Sequence, residues 1–255
     1  MFYGYGVLNN HVPTLKATAM RGGGAAISSL LTSLYAVYKA ESNANDSLGN
    51  YNGTAQGGLT YTAGKSGNAF VGNGTNAYVI LPDNSLNLTS PFSYSFWIKS
   101  SDTTGFTVIV GNNQNARSPY GFGHGYQFWL QYNKINVSFR DGSDSTNYGL
   151  DSIANVATGL WNHVVITYKY TISNTNGIKI YINGSLDSSR SAPNSANFYS
   201  SPMKPAIMAR NPNGSYEYPL SSGSMLDEMS IWTKELTSTE VTELYNAGTG
   251  KFYPY

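Results

Sequence analysis

Hydrophobic and polar residues alternate with a period of two along most of the chain from Tyr35 onward. FSYSFWIK puts Phe92, Tyr94, Phe96 and Ile98 on one face and Ser93, Ser95, Trp97 and Lys99 on the other. That is the pattern of a half-buried strand. KINVSF groups Ile135, Val137 and Phe139 in the same way, and GIKIYINGS groups Ile178, Ile180 and Ile182. Asn183-Gly184 then supplies a two-residue hairpin turn, because both positions tolerate positive φ. Further strands are predicted at 77–81, 106–110, 126–132, 163–168, 206–209 and 226–232. Many short strands punctuated by Gly, Asn and Pro predict a β-sandwich.

Two segments depart from this period. In AAISSLLTSLY, Ile27, Leu30, Leu31, Leu34 and Tyr35 share one helical face, which predicts a helix of two turns. In LTSTEVTELYNAG, Thr237 is a good N-cap with Glu240 as its capping-box partner, Val241, Leu244 and Tyr245 form a buried stripe, and Gly248 is a helix stop. Residues 1–24 have neither period and end in Gly22-Gly23-Gly24, a flexible hinge. The chain therefore divides into an N-terminal arm (1–24), a short helical linker (25–33) and one sandwich domain (34–255).

Composition narrows the partners. The chain has 255 residues, 40% of them apolar, enough to fill a core. Only 11% are charged and the net charge is +1, so no basic field exists for nucleic acid or anionic lipid. No segment approaches the ~20 apolar residues of a membrane span, and the first twenty residues lack the pattern of a signal peptide. The absence of cysteine excludes disulfides, thiolate metal sites and cysteine catalysis. Asn-x-Ser/Thr triplets at Asn45, Asn52, Asn136 and Asn183 are expected by chance in so Asn- and Ser-rich a chain.

Six runs follow one another in a telling order: ESNANDSLGNYNGT, GKSGNAFVGNGTNAYVIL, FSYSFWIKS, WNHVVITY, GIKIYINGSL and LDEMSIWTKELTSTEVTELYNAG. Together they resemble the laminin-G-like domain of the concanavalin A-like lectin/glucanase superfamily, over about residues 34–248. The resemblance implies an all-β fold, a two-sheet antiparallel jelly-roll sandwich, here with a short N-terminal helix and one short C-terminal helix. The short arm, Gly hinge and helical turn look like those of bacteriophage virion proteins that carry this domain on fibres or capsid decorations. That likeness implies a place on the virion surface, reached from the host cytoplasm without a signal peptide.

The superfamily includes glycosidases with paired carboxylates spaced Glu-x-Asp-x-Glu on one strand, an arrangement suited to retaining hydrolysis. This chain has no such triplet, and its one adjacent acidic pair is Asp227-Glu228. A Ser-His-Asp arrangement is equally unsupported with His11, His124 and His163, and His163 reads as structural, so the chain is not expected to be an enzyme. The family's structural calcium implies ligands at Asp46 and Asp227, although Lys39-Ala40-Glu41 replaces the more usual run with an Asp. Strand alternation puts Asp227 on the apolar face with Met229 and Ile231, where a buried carboxylate needs either a cation or main-chain N–H groups. Lectin-like carbohydrate binding points to loop aromatics: Tyr120, Phe122, His124 and Tyr126 in RSPYGFGHGYQFW, and Tyr216 and Tyr218 in NPNGSYEYP. The same residues suit packing or a subunit interface. Phe2, Tyr3 and Tyr5 are candidate anchors of the arm to other virion proteins. Low charge and an aromatic arm point to a homo-oligomer, with a trimer first choice and a monomer threading its arm into a neighbour as the alternative.

The expected function is adhesion: a virion surface protein displaying a lectin-like domain toward host or environmental glycans. A purely structural decoration without a ligand and a glycan-degrading enzyme are the alternatives.

Overall fold

A computed structural model describes residues 28–114, 124–140, 147–170, 177–192, 204–211 and 215–255. The first strands are β1 (Leu34–Tyr38), β2 (Thr54–Gln56), β3 (Thr60–Ala63), β4 (Asn68–Val71) and β5 (Tyr78–Ile80). The long central ones are β6 (Phe92–Lys99), β7 (Thr107–Gln114), β8 (His124–Gln131) and β9 (Lys134–Arg140), followed by β10 (Asn147–Asp151). Then come β11 (Trp161–Tyr168), β12 (Ile178–Ile182), β13 (Ser185–Arg190), β14 (Ala206–Ile207), β15 (Met225–Trp232) and the helix α1 (Ser238–Tyr245). All pairings between these strands are antiparallel.

They form two sheets. The eight-stranded sheet runs β13-β12-β11-β6-β15-β4-β3, and β1 joins β15 beside β4. Met225 and Leu226 pair with β4, while Met229 to Trp232 pair with β1, so one edge of β15 serves two short strands in succession. The seven-stranded sheet runs β10-β9-β8-β7-β14-β5-β2. Between the sheets lie Phe92, Tyr94, Phe96 and Ile98 from one side and Tyr126, Phe128, Leu130, Val137 and Phe139 from the other. The period-two segments thus form the all-β two-layer sandwich that their alternation predicts. At the β12–β13 turn, Asn183 (φ 51) and Gly184 (φ 81) adopt the left-handed conformation that their sequence announced.

Over the described residues 28–35 the expected helix does not form. A single 3-10 turn, Ser29–Leu31, is followed by extended Thr32 and by Ser33 at φ 60, and Leu34 and Tyr35 begin β1. The i, i+3, i+4 spacing is met differently: Leu30 and Leu34 join a second apolar cluster, and Tyr35 packs against the main core. Pairing along β15 supplies more hydrogen bonds and burial than two isolated helical turns would. The Trp232 indole donates to the Leu30 carbonyl at 2.7 Å, so the described part of the linker is fastened to the sandwich. The arm, including Phe2, Tyr3 and Tyr5, lies outside the described residues.

The C-terminal helix forms as its capping box predicts. Thr237 Oγ1 accepts from the Glu240 N–H at 3.2 Å, and Glu240 Oε2 accepts from the Thr237 N–H at 2.9 Å. Its C-cap is Asn246 (φ 46), two residues before the expected Gly248. Val241 and Leu244 pack with Val165, Tyr181 and Trp232 on the outer side of the eight-stranded sheet. Tyr245 stacks on Trp97 and His163 there. The helix thus covers one outer face of the sandwich, and the other outer face carries the groups described next.

Candidate functional site

Alternation within the seven-stranded sheet fixes which side chains leave the core. Tyr126, Phe128 and Leu130 point inward, so Gln127 and Trp129 between them point out. Register then lays two rows across the outer face. One contains Asp151, Asn136, Trp129 and Val108 on adjacent strands. The other contains Gly149, Ser138, Gln127, Gly111 and Ala206. With strands about 4.8 Å apart, Asp151 lies about 10 Å from Trp129 along its row.

A hairpin crosses this face. Arg210 and Glu217 exchange main-chain hydrogen bonds at 2.8 and 3.2 Å, and the Val108 N–H donates to the Tyr218 carbonyl at 2.9 Å. The crossing is close enough to require glycine beneath it. A Cβ on Gly111 would lie 2.6 Å from the Ala209 oxygen and from the Arg210 Cα. The Arg210 side chain, 1% exposed, donates to Glu217 Oε2 at 3.1 Å and to Gln127 Oε1 at 3.4 Å. Its guanidinium lies 4.7 Å from the Tyr218 ring centroid and 5.8 Å from that of Phe106. Phe106 in turn contacts Tyr218 edge-on at 4.9 Å and Trp129 at 5.6 Å. A buried, paired arginine thereby fixes three part-exposed rings and one carboxylate. Glu217 keeps 36% of its side chain exposed, with its second oxygen left for other donors. Beside this group, Tyr216 stacks on Tyr78 at 4.4 Å.

The segments leading to Phe106 and away from Tyr218 line a polar hollow of about 480 Å³, formed by residues 101–104 and 221–223. Within it, burial pushes the Asp102 carboxyl up, but the N–H groups of Gly105 and Thr104 outweigh this and hold it below the usual range. Rings that can stack, carboxylates that accept hydrogen bonds from hydroxyls and a hydroxyl-rich hollow are suited to a polyhydroxylated ligand.

The predicted aromatics separate accordingly. Tyr216 and Tyr218 belong to this face. Tyr126 does not: it is fully buried, its hydroxyl bonded to the Leu86 carbonyl at 2.8 Å and to the Tyr94 hydroxyl at 2.7 Å. It alternates with Gln127 and therefore points into the core, so it has no surface on which a sugar could stack. Tyr120 and Phe122 lie outside the described residues, and His124 is placed only as the first residue of β8. Trp129, Phe106, Arg210 and Glu217 went unnamed in the sequence reading. Trp129 could have been found, because it is the one aromatic on the polar parity of FWLQ; Arg210 could not, since nothing local marks it.

The carboxylates expected to hold calcium serve different loops. Both Asp46 oxygens are taken by main-chain donors: Oδ1 by Val37 and Leu48, Oδ2 by Asn50 and Tyr51, at 2.9 to 3.1 Å. Asp227 Oδ2 accepts from Lys65 and Ser66, and Oδ1 from Glu228. Seven N–H groups point at the two side chains, which is the main-chain alternative, and this donor set does not fit a cation cage at those oxygens. Asp227 is also not on the face with Met229 and Ile231. A bulge between Asp227 and Ser230, with Glu228 at φ 50, inverts the parity, so Leu226 and Met229 face the core and Asp227 pairs with Trp97 on the outer side. Burial raises the Asp227 carboxyl to about 6 despite its N–H partners. Glu228, buried with no hydrogen-bond partner for either oxygen, is raised to about 8 by burial and then by the Asp227 charge. His163 is fully buried against Trp97, its Nε2 is 2.8 Å from Ser95 Oγ, and burial lowers it to about 3. Among the described residues no group of three or more His, Asp or Glu is placed to hold a metal.

A family model described as Laminin_G_3, of the concanavalin A-like lectin/glucanases superfamily, matches residues 73–242, about two thirds of the chain. Domain 4 of AbnA, a GH43 extracellular arabinanase from Geobacillus stearothermophilus whose structure is in complex with arabinotriose, is similar at 23% identity and TM-score 0.61. That match covers 86% of this chain and 98% of the other. The binding domain of Paraclostridial Mosquitocidal Protein 1 is similar at 19% identity and TM-score 0.65, over 85% of this chain and 52% of that one. A structure from work on botulinum neurotoxin type C, whose cell entry depends on two ganglioside molecules, is similar at 16% identity and TM-score 0.62, over 84% and 51%. The chain thus spans about half the length of these toxin structures. No curated protein matches the sequence.

Proposed function

Because this chain belongs to the concanavalin A-like lectin/glucanases superfamily, we propose that it is a carbohydrate-binding domain whose ligand sits on the outer face of the seven-stranded sheet. The observation that carries this reading is the fixed ring cluster of Phe106, Trp129 and Tyr218 beside the half-exposed Glu217. A sugar ring stacks on such faces while its hydroxyls donate to the carboxylate and to the hollow at 101–104. The complex of the similar arabinanase domain with arabinotriose supports the ligand class. The domain binds without turnover: the sequence carries no Glu-x-Asp-x-Glu strand, and His163 is buried and neutral.

The setting we propose is a bacteriophage particle, with residues 1–24 docking the chain on other virion proteins and the sandwich facing outward as one copy of a homo-oligomer, a trimer first. The support is in the sequence, in the aromatic arm and its Gly22-Gly23-Gly24 hinge. Weak contacts per copy are then multiplied through effective concentration. A glycan array probed with the full chain, run beside a reducing-sugar release assay, tests the first reading. Binding that Trp129→Ala abolishes, without sugar release, supports it. Sugar release, or binding untouched by the substitution, contradicts it. Co-sedimentation with intact particles tests the setting.

A further inference from the structure

We propose that the ligand of this face is a neutral glycan, and that glycans bearing carboxylate or sulfate groups are rejected. The inference rests on the carbohydrate-binding reading above and concerns which chemistry the face admits. An anionic sugar is held most strongly by a cation with donors to spare, above all a guanidinium fork. Among the described residues, the cations around the ring cluster are turned toward acceptors within the chain. Arg210 is 1% exposed and donates to Glu217 and Gln127. Lys134, on the same strand face as Asn136, donates its ammonium to the Ser152 and Ile153 carbonyls at 3.0 and 2.6 Å. Arg190 at the β13 edge donates to the Gly149 carbonyl. Arg140 and Lys204 stand toward the opposite end of the sheet, and Arg140 is itself engaged within the chain.

Among the described residues, carboxylates face outward near the rings. Glu217 is 36% exposed with one oxygen uncommitted, Asp151 is exposed at the end of the Trp129 row, and Asp102 lies in the adjoining hollow. Each can accept hydrogen bonds from sugar hydroxyls, and the two oxygens of Asp151 suit a vicinal diol. Each also repels a ligand anion. At separations of about 7 to 10 Å in a largely aqueous dielectric and at low ionic strength, two or three such charges discriminate by about tenfold.

Titration calorimetry with the full chain decides it. The probes are arabinose- and galactose-terminated oligosaccharides, and the same cores ending in uronic or sialic acid. The expected result is binding of the neutral members about tenfold tighter, with the gap closing in about 1 M salt and in the double variant Asp151→Asn, Glu217→Gln. Glutamine retains a carbonyl acceptor for Arg210, and an unchanged melting temperature verifies the fold of the variant. Equal or tighter binding of the acidic members, or a gap that the double variant leaves intact, overturns the proposal and leaves the carbohydrate reading standing. Binding to neither set overturns both.

Discussion

Asp46 and Glu228 show how differently one carboxylate and another can be buried. Asp46 receives four main-chain N–H bonds and closes the loop from β1 to Tyr51. Charge-assisted bonds of this kind contribute about 1.5 to 3 kcal/mol, and an orphaned N–H costs about as much. Asp46→Ala should therefore destabilise the domain by about 3 kcal/mol, read as a lower urea midpoint. Because main-chain donors hold the side chain, the loss should be the same with and without chelator. Glu228 has no such partners. Its folded value of about 8 exceeds its ordinary 4.5, because burial and the neighbouring Asp227 and Glu41 charges disfavour ionisation. The native state therefore keeps a proton that the unfolded chain has released, and stability falls as pH rises from about 4.5 to about 8, then levels off. Glu228→Gln removes that slope. Its melting temperature should exceed that of the wild type by several degrees at alkaline pH and by little in acid. A gain of equal size at both ends would refute the assignment.

At the scale of elements, the hairpin through Arg210 and Glu217 depends on the bare Gly111 beneath it. Gly111→Ala puts a methyl 2.6 Å from the crossing backbone, so the hairpin must lift. Overpacking of this kind costs about 1 to 3 kcal/mol, and the shift should weaken glycan binding more than it weakens the fold. Helix α1 offers a control. Thr237→Ala removes the cap and should cost about 1 kcal/mol while leaving glycan affinity unchanged, because α1 lies on the opposite outer face. Comparison of melting and binding for the two variants separates site from scaffold.

The sequence announced α1 through a local signal, Thr237 and Glu240 at capping-box spacing, and β6 through an unbroken alternation. It misread two places where pairing partners decide. The apolar spacing around Leu30 fits a helix, yet β15 draws Leu34 and Tyr35 into a strand. The parity of Asp227 looks apolar until the bulge at Glu228 inserts one residue. Short strands such as β2 and β3, polar and three or four residues long, carry no readable period. Of the candidate face, the tyrosines of YEY were legible. The arginine beneath them was not, since its value lies in Gln127 and Phe106, which are about a hundred residues upstream.

The whole molecule presents two unlike outer faces. One is sealed by α1, Tyr245 and Tyr255 over Trp97 and Trp232. The other carries part-exposed rings and carboxylates on a rigid sheet. If the arm serves only to dock the domain, deleting residues 1–24 should leave thermal unfolding and glycan affinity nearly unchanged while abolishing assembly on a partner. The most direct test of the carbohydrate face uses the four tryptophans, Trp97, Trp129, Trp161 and Trp232, as reporters. Their indole N–H resonances can be followed in a 15N-labelled chain as a neutral oligosaccharide is added. The account predicts a saturable shift of the Trp129 signal while those of Trp97 and Trp232, buried on the opposite side, stay in place. Saturable shifts at Trp97 or Trp232 with Trp129 unmoved would place the ligand elsewhere and contradict it.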